Sequence, residues 1–520
     1  MNYAIIAAGK GSRLRKEGFD NVKPLVKVCG EYLIERLIRI FKDNNAESIS
    51  IIINEESGEL NSYLHSKDWE VKINLIVKST PSSLHSFWNI INQTGIKECC
   101  LTTVDTIFSE RDFKDYISYF QSHKEVDALM GITKYIDDEK PLYIETHNDN
   151  NILAFKDDNI ASIGNETPSY LDKVSAGIYC LRSKSIEKAD ECIKNRVSRM
   201  RNYQRSLVEA NLNVKAFLFS KVIDIDHVED ITKAEKLLKQ FNTKILCVKR
   251  FKDYSPNSQN KDSEIISSVS EKLKAEGYLV CEKDETKIDF NKEYYPYVIS
   301  MARNPEVIKG ISKWEEKSAV VINSSKSCLN CWREKQINIL QDGAISIPKT
   351  VIVETNQDIT DLNFLNGTKE WWIKRGDFQT VEEIDVIKVS DSKKAKEILD
   401  NYRSRGINTA VISENIDGDI VKFYGVTGTE FFYYTYPQKD KFNNPINTAQ
   451  TRIKFNKEQF VSSCQMAAEH LDLDIYGGDA AIDAQGNFYI IDMNDFPSFS
   501  SCKEAATENI VKRFLSKCNI

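Results

Sequence analysis

Two glycines, a serine and two basic residues follow the first apolar run of the chain: Gly9, Gly11, Ser12, Arg13 and Lys23. Glycines let backbone N–H groups approach a ligand closely, serine adds a hydroxyl donor, and the two cations supply positive charge. This combination suits a polyphosphate. The segment is not a Walker A loop, and GxGxxG also fails because its last position is Leu. Taken alone, the glycines are equally compatible with a tight structural turn.

Acidic residues that could hold a divalent cation follow apolar segments in both halves of the chain. Asp105 lies at the carboxyl end of CCLTTVD, where a helix cap or a turn is the alternative role. In NFYIIDMND, strand alternation places Asp492 and Asn494 on one face, where both side-chain oxygens can reach one ion. YGGDAAID adds Asp479, which we predict at the end of a glycine turn, as a third oxygen ligand. For DAQG (483–486) we predict a hairpin turn instead.

The elements that position these residues alternate between strand and helix in the first half. YAIIAA predicts a buried parallel strand, YLIERLIRIF has helix periodicity, and SISIII predicts a second strand. INLIV, HSFWNIIN, CCLTTVD, DFKDYISYFQSH and DALMGITKY continue the alternation. The sequence therefore predicts an α/β domain with a Rossmann-like, mostly parallel sheet.

The alternation of predicted strands and helices ends near residue 242, and a new series of elements begins there. EDITKAEKLLKQF predicts a terminal amphipathic helix, and NTKILCVKRF begins a new strand. Further on, EWWIKRGD, VISENIDGDIVKFYGV and NFYIIDMND alternate like antiparallel strands beside helices, which predicts an α+β unit. We predict domains over 1–241, 243–315 and 316–520, the last with two lobes that meet near residue 410.

Composition limits the classes of function. The 520 residues carry a formal net charge of -7, so no general positive field is present to attract nucleic acid or an anionic membrane. No run approaches 18 apolar residues and no signal-peptide core is evident, so we expect no membrane insertion and a cytoplasmic location. The 12 cysteines are scattered, which argues against a disulfide framework. Assembly into a homo-oligomer stays open.

The first half resembles the nucleotidyltransferase family that includes sugar-phosphate, choline-phosphate and inositol-phosphate nucleotidylyltransferases. The resemblance is carried, in order, by AAGKGSRL, KPLVKVCG, LTTVD, SAGIYCL and VIDIDHVEDITKAE, and it covers residues 1 to about 240. It implies that Asp105 and Asp226 hold Mg²⁺, with Asp224 as the substitute. The other implied site residues are Ala8, Gly9, Gly11 and Ser12 for the nucleotide, Arg13 and Lys23 for catalysis with the two acids, and Ser83, His85 and Ser86 for the substrate.

The second half resembles the ATP-grasp superfamily, in the branch of inositol-phosphate kinases and of ligases that add glutamate to ribosomal proteins. The pattern is an acid in a strand, a turn, and D-x-N-x-x-P, followed by SFSSC. It implies Mg²⁺ binding by Asp479, Asp492 and Asn494, nucleotide binding by Lys374, Glu414 and Lys422, and a substrate contact from Arg333. One departure is that RGDFQTVEE has a single glycine where a glycine-rich lid is usual.

Together the two resemblances imply a bifunctional enzyme that uses Mg²⁺, ATP and a second nucleoside triphosphate, CTP being favoured. The ATP-grasp half would phosphorylate a polyol, sugar or amino acid, and the other half would couple the product to the nucleotide with release of pyrophosphate. Surface glycan or lipid head-group biosynthesis is the expected setting. Two alternatives stay open: a carboxylate–amine ligase in the second half, and a non-catalytic nucleotide-binding scaffold in one of the halves.

Overall fold

The computed structural model describes residues 1–9, 11–19, 21–137, 140–157, 172–254, 259–359, 370–439, 446–447 and 452–520. They form two compact units, which are described separately. The first comprises Met1–Thr243 with Ala275–Gly277, and the second comprises Lys244–Lys274 with Tyr278–Ile520. No helix among the described residues is long and apolar enough to cross a membrane.

The first unit alternates strands and helices. Its strands are β1 (Asn2–Ala7), β2 (Lys27–Val28), β3 (Glu31–Tyr32), β4 (Ser48–Ile53), β5 (Lys72–Val77), β6 (Cys99–Thr103), β7 (Thr106–Phe108), β8 (Ala128–Thr133), β9 (Tyr143–Thr146), β10 (Ile152–Lys156), β11 (Val174–Leu181), β12 (Val214–Phe219) and β13 (Val222–Asp224). Its helices are α1 (Ser12–Lys16), α2 (Leu33–Asp43), α3 (Gly58–His65), α4 (Ser83–Thr94), α5 (Glu110–Ser122), α6 (Ser183–Lys194), α7 (Met200–Glu209) and α8 (Val228–Asn242).

The central sheet of the first unit has the order β10-β9-β11-β6-β1-β4-β5; β8 also pairs with β11, and β12 pairs with β8. Strands β6, β1, β4 and β5 are parallel, as are β8 and β12, whereas β11 runs antiparallel to its neighbours. The predicted α/β class with a mostly parallel sheet is confirmed. β1 is buried from Ala4 to Ala7, which explains its continuous apolar sequence.

A small two-stranded sheet outside the main sheet positions the acidic residues of the first unit. β7 pairs with β13 in antiparallel register, so Thr106 lies opposite Asp224. The backbone N–H of Ile225 donates to the carbonyl oxygen of Asp105 at 3.2 Å. Two segments that are about 120 residues apart in sequence therefore meet beside the carboxyl end of β6.

In the part of the second unit that the structure describes, the strands form three four-stranded sheets. Its strands are β14 (Lys244–Lys249), β15 (Leu279–Asp284), β16 (Tyr297–Ser300), β17 (Val320–Ile322), β18 (Thr350–Glu354), β19 (Trp371–Arg375), β20 (Val386–Val389), β21 (Thr409–Glu414), β22 (Gly418–Val426), β23 (Phe432–Thr435), β24 (Ile475–Asp483) and β25 (Phe488–Asp495). Its helices are α9 (Gln259–Ala275), α10 (Pro305–Glu315), α11 (Ser325–Asn330), α12 (Arg333–Asp342), α13 (Ser392–Ser404), α14 (Lys457–His470) and α15 (Lys503–Cys518).

The three sheets differ in strand direction. The first has the order β15-β14-β16-β17 and is parallel throughout. The other two have the orders β18-β21-β19-β20 and β23-β22-β24-β25 and are antiparallel, as the alternating sequences predict. The hairpin turn predicted for 483–486 joins β24 to β25, and Gly486 has a φ of 85° there.

The glycine turn predicted before Asp479 is wrong. Gly477, Gly478 and Asp479 all lie inside the continuous strand β24. A Cβ atom on Gly478 would lie 2.2 Å from the carbonyl oxygen of Asp492 and 2.6 Å from the Phe423 ring. The glycines are therefore explained by close packing against neighbouring strands rather than by chain reversal.

Candidate functional site

The first unit contains a cavity of about 490 Å³ at the carboxyl ends of β1 and β6. These two strands are adjacent and parallel, so the segments that follow them meet at one edge of the sheet. Ten of the predicted residues line the cavity: Ala8, Gly9, Gly11, Ser12, Arg13, Lys23, Ser83, Ser86, Asp105 and Asp226. His85 is not among its lining residues; its Nδ1 lies 2.9 Å from the Ser82 hydroxyl.

A charged cluster occupies this cavity. The Lys23 ammonium donates to Asp105 Oδ2 and, at 2.8 Å, to Asp226 Oδ1. Arg13 Nη1 donates to Asp226 Oδ2 at 2.7 Å. Burial opposes the charge on Lys23, but the two carboxylates raise the pKa of Lys23 above its usual value. Burial also disfavours the Asp226 carboxylate, yet Lys23 and Arg13 hold the pKa of Asp226 below its ordinary value.

One carboxylate oxygen in this cluster has no hydrogen-bond partner among the residues that the structure describes. Asp105 Oδ1 is buried and has no hydrogen-bond partner among the described residues. A buried, unpaired carboxylate oxygen is costly unless a ligand satisfies it. Mg²⁺ commonly binds one or two carboxylates and completes its shell with water and phosphate oxygens. The pair Asp105 and Asp226 fits such an ion, and Lys23 lies between the two carboxylates that would bind it.

Asp224 lies beside the pair but outside the lining of the cavity. It ends β13 opposite Thr106 and is solvent-accessible on one side. The protein around it and the neighbouring Asp105 carboxylate raise the pKa of Asp224 to about 7. The geometry thus favours Asp226 over Asp224 as the partner of Asp105.

Hydroxyl side chains form another part of the cavity wall. Ser83 is the first residue of α4, and Ser86 is buried in the same helix. The Ser86 hydroxyl lies 2.6 Å from the Thr80 hydroxyl. Thr80, Ser82 and Thr103 also line the cavity but were missed by the sequence reasoning. Thr80 and Ser82 follow β5 and Thr103 ends β6, and these positions at strand ends were the signal that could have indicated them.

Because Gly9 and Gly11 have no side chains, they leave space in the cavity wall near Lys23. Gly11 has a φ of 57°, a left-handed conformation that favours glycine. A Cβ atom at Gly11 would lie 3.3 Å from the Lys23 Cβ, whereas one at Gly9 would meet nothing within 4 Å. The free space at Gly9 is compatible with a bound ligand that contacts the backbone.

The second unit contains a separate cavity, also of about 490 Å³, with walls from both antiparallel sheets. The seven residues predicted for the C-terminal half all line it: Arg333, Lys374, Glu414, Lys422, Asp479, Asp492 and Asn494. Among the described residues, no group of three or more His, Cys, Asp or Glu side chains is arranged to hold a metal. Each cavity instead offers a pair of aspartates.

The aspartate pair of the second cavity is set by strand register. Asp479 of β24 lies directly opposite Asp492 of β25, next to a bulge in the ladder. Two like charges in directly opposed positions destabilise a sheet unless a cation lies between or beside them. Lys422 Nζ lies 3.9 Å from Asp479 Oδ1, and Arg333 Nη2 lies 3.8 Å from Asp492 Oδ2. The pair and the amide oxygen of Asn494 therefore fit a divalent cation.

The remaining predicted residues surround a partly apolar wall. Lys374 is buried, and its Nζ donates to the carbonyl oxygen of Ile491 at 3.3 Å. Glu414 ends β21, and its Oε1 accepts from the backbone N–H of Lys349 at 3.1 Å. The side chains of Trp372, Ile416 and Ile420 line the cavity beside these polar groups. Apolar walls with a few polar groups are typical of nucleotide and cofactor sites.

Sequence reasoning missed several polar residues that line the second cavity: Arg250, Asp262, Arg303 and Gln379. Arg250, Asp262 and Arg303 precede the strands that carry the motif-like residues, whereas Gln379 follows β19, the strand of Lys374. Arg250 directly follows β14, and Arg303 follows β16, so both lie after the carboxyl ends of parallel strands. That position was the signal that could have indicated them.

Residues 3–240 match the Nucleotidyl transferase family. A curated relative, the "Bifunctional IPC transferase and DIPP synthase" of Aquifex aeolicus (strain VF5), is 24% identical over 242 residues, which are 45% of this chain and 51% of the relative. The chain spans about half the length of the curated relatives it matches.

Two solved structures are each similar to about half of the chain. The inositol-1-phosphate CTP transferase from T. maritima covers 45% of this chain and 96% of its own, with 18% identity and a TM-score of 0.37. The D-alanyl-alanine synthetase A from Vibrio cholerae O1 biovar eltor str. N16961 covers 53% of this chain and 98% of its own, with 11% identity and a TM-score of 0.42. The residues that match the Nucleotidyl transferase family, 3–240, include the glycine segment and the charged cluster of the first cavity.

Proposed function

We propose that the chain is a bifunctional enzyme that acts twice on one small molecule, X. The second unit phosphorylates X with ATP, and the first unit couples X-phosphate to a nucleoside triphosphate, CTP being favoured, with release of pyrophosphate. X is a polyol, a sugar or an amino acid. The observation that carries the proposal is the cluster of Lys23, Asp105 and Asp226, with its unpartnered carboxylate oxygen, in the cavity of a nucleotidyltransferase domain.

The chemistry of the first unit follows from the charges in its cavity. An oxygen of X-phosphate attacks the α-phosphorus of the nucleotide, and the bond to the pyrophosphate oxygen breaks. The nucleophile is already an anion, so no general base is needed, but negative charge accumulates around phosphorus. Lys23 and Arg13 lie where they can neutralise that charge. Asp105 and Asp226 would hold Mg²⁺, which supplies further neutralisation when bound.

The nucleotide selected by the first unit is proposed from two observations. The hydroxyls of Thr80 and Ser82 offer small hydrogen-bonding groups suited to the polar edge of a base, whereas Ser83 and Ser86 are the residues predicted to contact X-phosphate. The curated relative from Aquifex is named as an IPC transferase. CTP as the nucleotide and a phosphorylated polyol as its partner are consistent with both.

The kinase role of the second unit is supported by the content of its cavity. Trp372, Ile416 and Ile420 provide an apolar wall for a base, and Lys374 and Lys422 provide cations for phosphates. Asp479 and Asp492 would hold Mg²⁺, which neutralises the transferred phosphate when bound. The γ-phosphorus is then attacked by a nucleophilic atom of X, and ADP leaves.

The order of the two steps is tested by product analysis. The full-length chain is incubated with ATP, Mg²⁺, each nucleoside triphosphate and candidate X, and ADP and pyrophosphate are followed with time. The proposal expects ADP before pyrophosphate, and pyrophosphate without ATP only when X-phosphate is supplied. Pyrophosphate release from unphosphorylated X without any ADP would contradict the order.

The same assay separates a kinase from a carboxylate–amine ligase. Hydroxylamine traps an acyl phosphate as a hydroxamate but does not react with a phosphorylated hydroxyl group. If X carries a carboxylate and hydroxamate accumulates in step with ADP, the second unit is a ligase. Unchanged turnover in both Asp105→Asn and Asp492→Asn would instead indicate a non-catalytic scaffold.

A further inference from the structure

Arginine side chains that the mechanism above does not use line the second cavity. Arg250, Arg303 and Arg333 all contribute to its wall, together with Gln379. Of the arginines, Arg333 contacts Thr380 Oγ1 at 3.0 Å and approaches Asp492. The other two come from the segments that follow the parallel sheet of the second unit, so they need a separate explanation.

Arg250 has its hydrogen-bonding capacity satisfied by the protein. Its Nη1 donates to Asp262 Oδ2 at 2.9 Å, and its Nε donates to the carbonyl oxygen of Met301 at 3.1 Å. Its Nη2 donates to the carbonyl oxygen of Phe496 at 3.1 Å. The guanidinium is thus fixed in place and paired with a carboxylate, which is the arrangement of a structural positive charge.

The hydrogen-bonding capacity of the Arg303 guanidinium is less fully satisfied than that of Arg250. Among the described residues, the one carboxylate within 4.0 Å of its guanidinium is that of Asp495, at 3.4 Å from Nη2. Asp495 Oδ1 also accepts from Gln379 Nε2 at 2.9 Å, so the contact is shared. The Nε of Arg303 is buried and has no hydrogen-bond partner among the described residues. Burial and the charge of the nearby Arg250 lower the pKa of Arg303.

Gln379 adds a complementary acceptor. Its Nε2 is bound to Asp495, whereas its Oε1 is buried without a partner among the described residues. Buried, unpartnered donors and acceptors that line one cavity are costly unless a ligand pairs with them. Arg303 offers a charged fork, which matches a carboxylate or phosphate better than a neutral hydroxyl group.

We propose that Arg303 binds an anionic group of the acceptor X in the second cavity, with Gln379 accepting a hydrogen bond from the same molecule. This inference rests on the proposed kinase function and narrows its acceptor to a compound that carries a carboxylate or a phosphate. It favours an amino acid, or a sugar or polyol that is already phosphorylated, over neutral polyols and sugars. Arg250 acts as a positioning residue through Asp262 and the backbone.

The test measures anion binding directly. Full-length protein is titrated by calorimetry with acetate, inorganic phosphate and neutral myo-inositol, in the presence of Mg²⁺ and a non-hydrolysable ATP analogue. Arg303→Gln is expected to weaken binding of acetate or phosphate by about 10-fold or more, because a charged bidentate contact is lost. Arg303→Lys should recover part of the affinity. The preferred anion distinguishes a carboxylate acceptor from a phosphorylated one.

Arg403→Gln is the matched control, because Arg403 is an exposed arginine of α13 outside the cavity. It should bind all three probes like the wild type. Equal binding of both anions by wild type and Arg303→Gln, with the ATP analogue still bound by the variant, would overturn the inference. Binding of myo-inositol that exceeds that of both anions would also overturn it. Failure of the wild type to bind the ATP analogue would count against the kinase function. The comparison of anion binding between the wild type and Arg303→Gln would still test whether Arg303 binds an anion.

Discussion

At the scale of single residues, the two cavities use the same device. Each places a pair of aspartates beside basic side chains, in a cavity that residues of distant segments complete. In the first cavity, Lys23 contacts both Asp105 and Asp226. In the second, Lys422 and Arg333 lie just under 4 Å from Asp479 and Asp492. Lys23 is therefore closer to its aspartates than Lys422 and Arg333 are to theirs.

Asp105→Asn is expected to lower the rate of pyrophosphate release by about 100-fold or more. The amide cannot supply the same charge to a cation or balance Lys23, and lost electrostatic stabilisation of this kind has effects of that size. Steady-state pyrophosphate assays with X-phosphate and CTP measure the change. Asp115→Asn is the control, since Asp115 is an exposed residue of α5. Activity of Asp105→Asn within threefold of the wild type would contradict the assignment.

Lys23→Met should separate binding of a cation from turnover. In the wild type, the Lys23 ammonium competes with a metal ion for Asp105 and Asp226. In the absence of nucleotide, the variant should therefore bind Mn²⁺ at least as tightly as the wild type. Pyrophosphate release should fall by about 100-fold, because the charge that neutralises the phosphate is lost. Mn²⁺ titration followed by electron paramagnetic resonance tests the first part. Weaker Mn²⁺ binding combined with normal turnover would show that Lys23 has a different role.

At the scale of elements, the parts of the fold that follow from local periodicity were predictable. SISIII is a strand at Ser48–Ile53, and the apolar face of YLIERLIRIF is buried in α2. The two-stranded sheet of β7 and β13 was not predictable, because its pairing joins segments that local pattern does not connect. For the same reason only the family resemblance indicated that Asp226 acts together with Asp105.

The second cavity also combines features that local sequence pattern predicts with features that depend on distant segments. Alternation correctly placed Asp492 and Asn494 on the cavity side of β25. The glycines before Asp479 were assigned to a turn, because the usual reason for paired glycines is backbone conformation. Their actual role depends on contacts with Asp492 and Phe423 from other strands, which no local pattern contains.

Gly478→Ala should destabilise the second unit. The added Cβ would lie 2.2 Å from a backbone oxygen of β25, so the strands must shift, at a cost of about 1–3 kcal/mol. Gly58→Ala is the control, because a Cβ at this helical position meets nothing within 4 Å. Urea denaturation monitored by tryptophan fluorescence compares the variants. Equal unfolding midpoints for Gly478→Ala and the wild type would show that β24 tolerates a side chain there.

At the scale of the whole molecule, each cavity lies within one compact unit. The two activities should therefore fail independently. Asp492→Asn is expected to lower ADP formation by about 100-fold while leaving pyrophosphate release from supplied X-phosphate within twofold of the wild type. Asp472→Asn, an exposed residue outside the cavity, is the control. Parallel loss of both activities in Asp492→Asn would show that the units do not act separately.

The net charge of -7 is consistent with this arrangement. A negative chain repels free nucleotides at long range, so binding depends on local cations such as Lys23, Lys374 and Lys422, and on metal held by aspartates. Both cavities are thus expected to lose nucleotide affinity when divalent ions are removed. The acidic excess is in part the set of carboxylates proposed to hold those ions.

The most direct measurement of the central claim is mass spectrometry of reactions that contain the full-length chain, ATP, CTP, Mg²⁺ and a panel of amino acids, sugars, polyols and their phosphates. We predict a cytidine diphosphate conjugate of one X, formed after X-phosphate appears and lost in Asp105→Asn. With Asp492→Asn, the conjugate should form only from supplied X-phosphate. A conjugate that Asp492→Asn makes from unphosphorylated X as fast as the wild type would contradict the account.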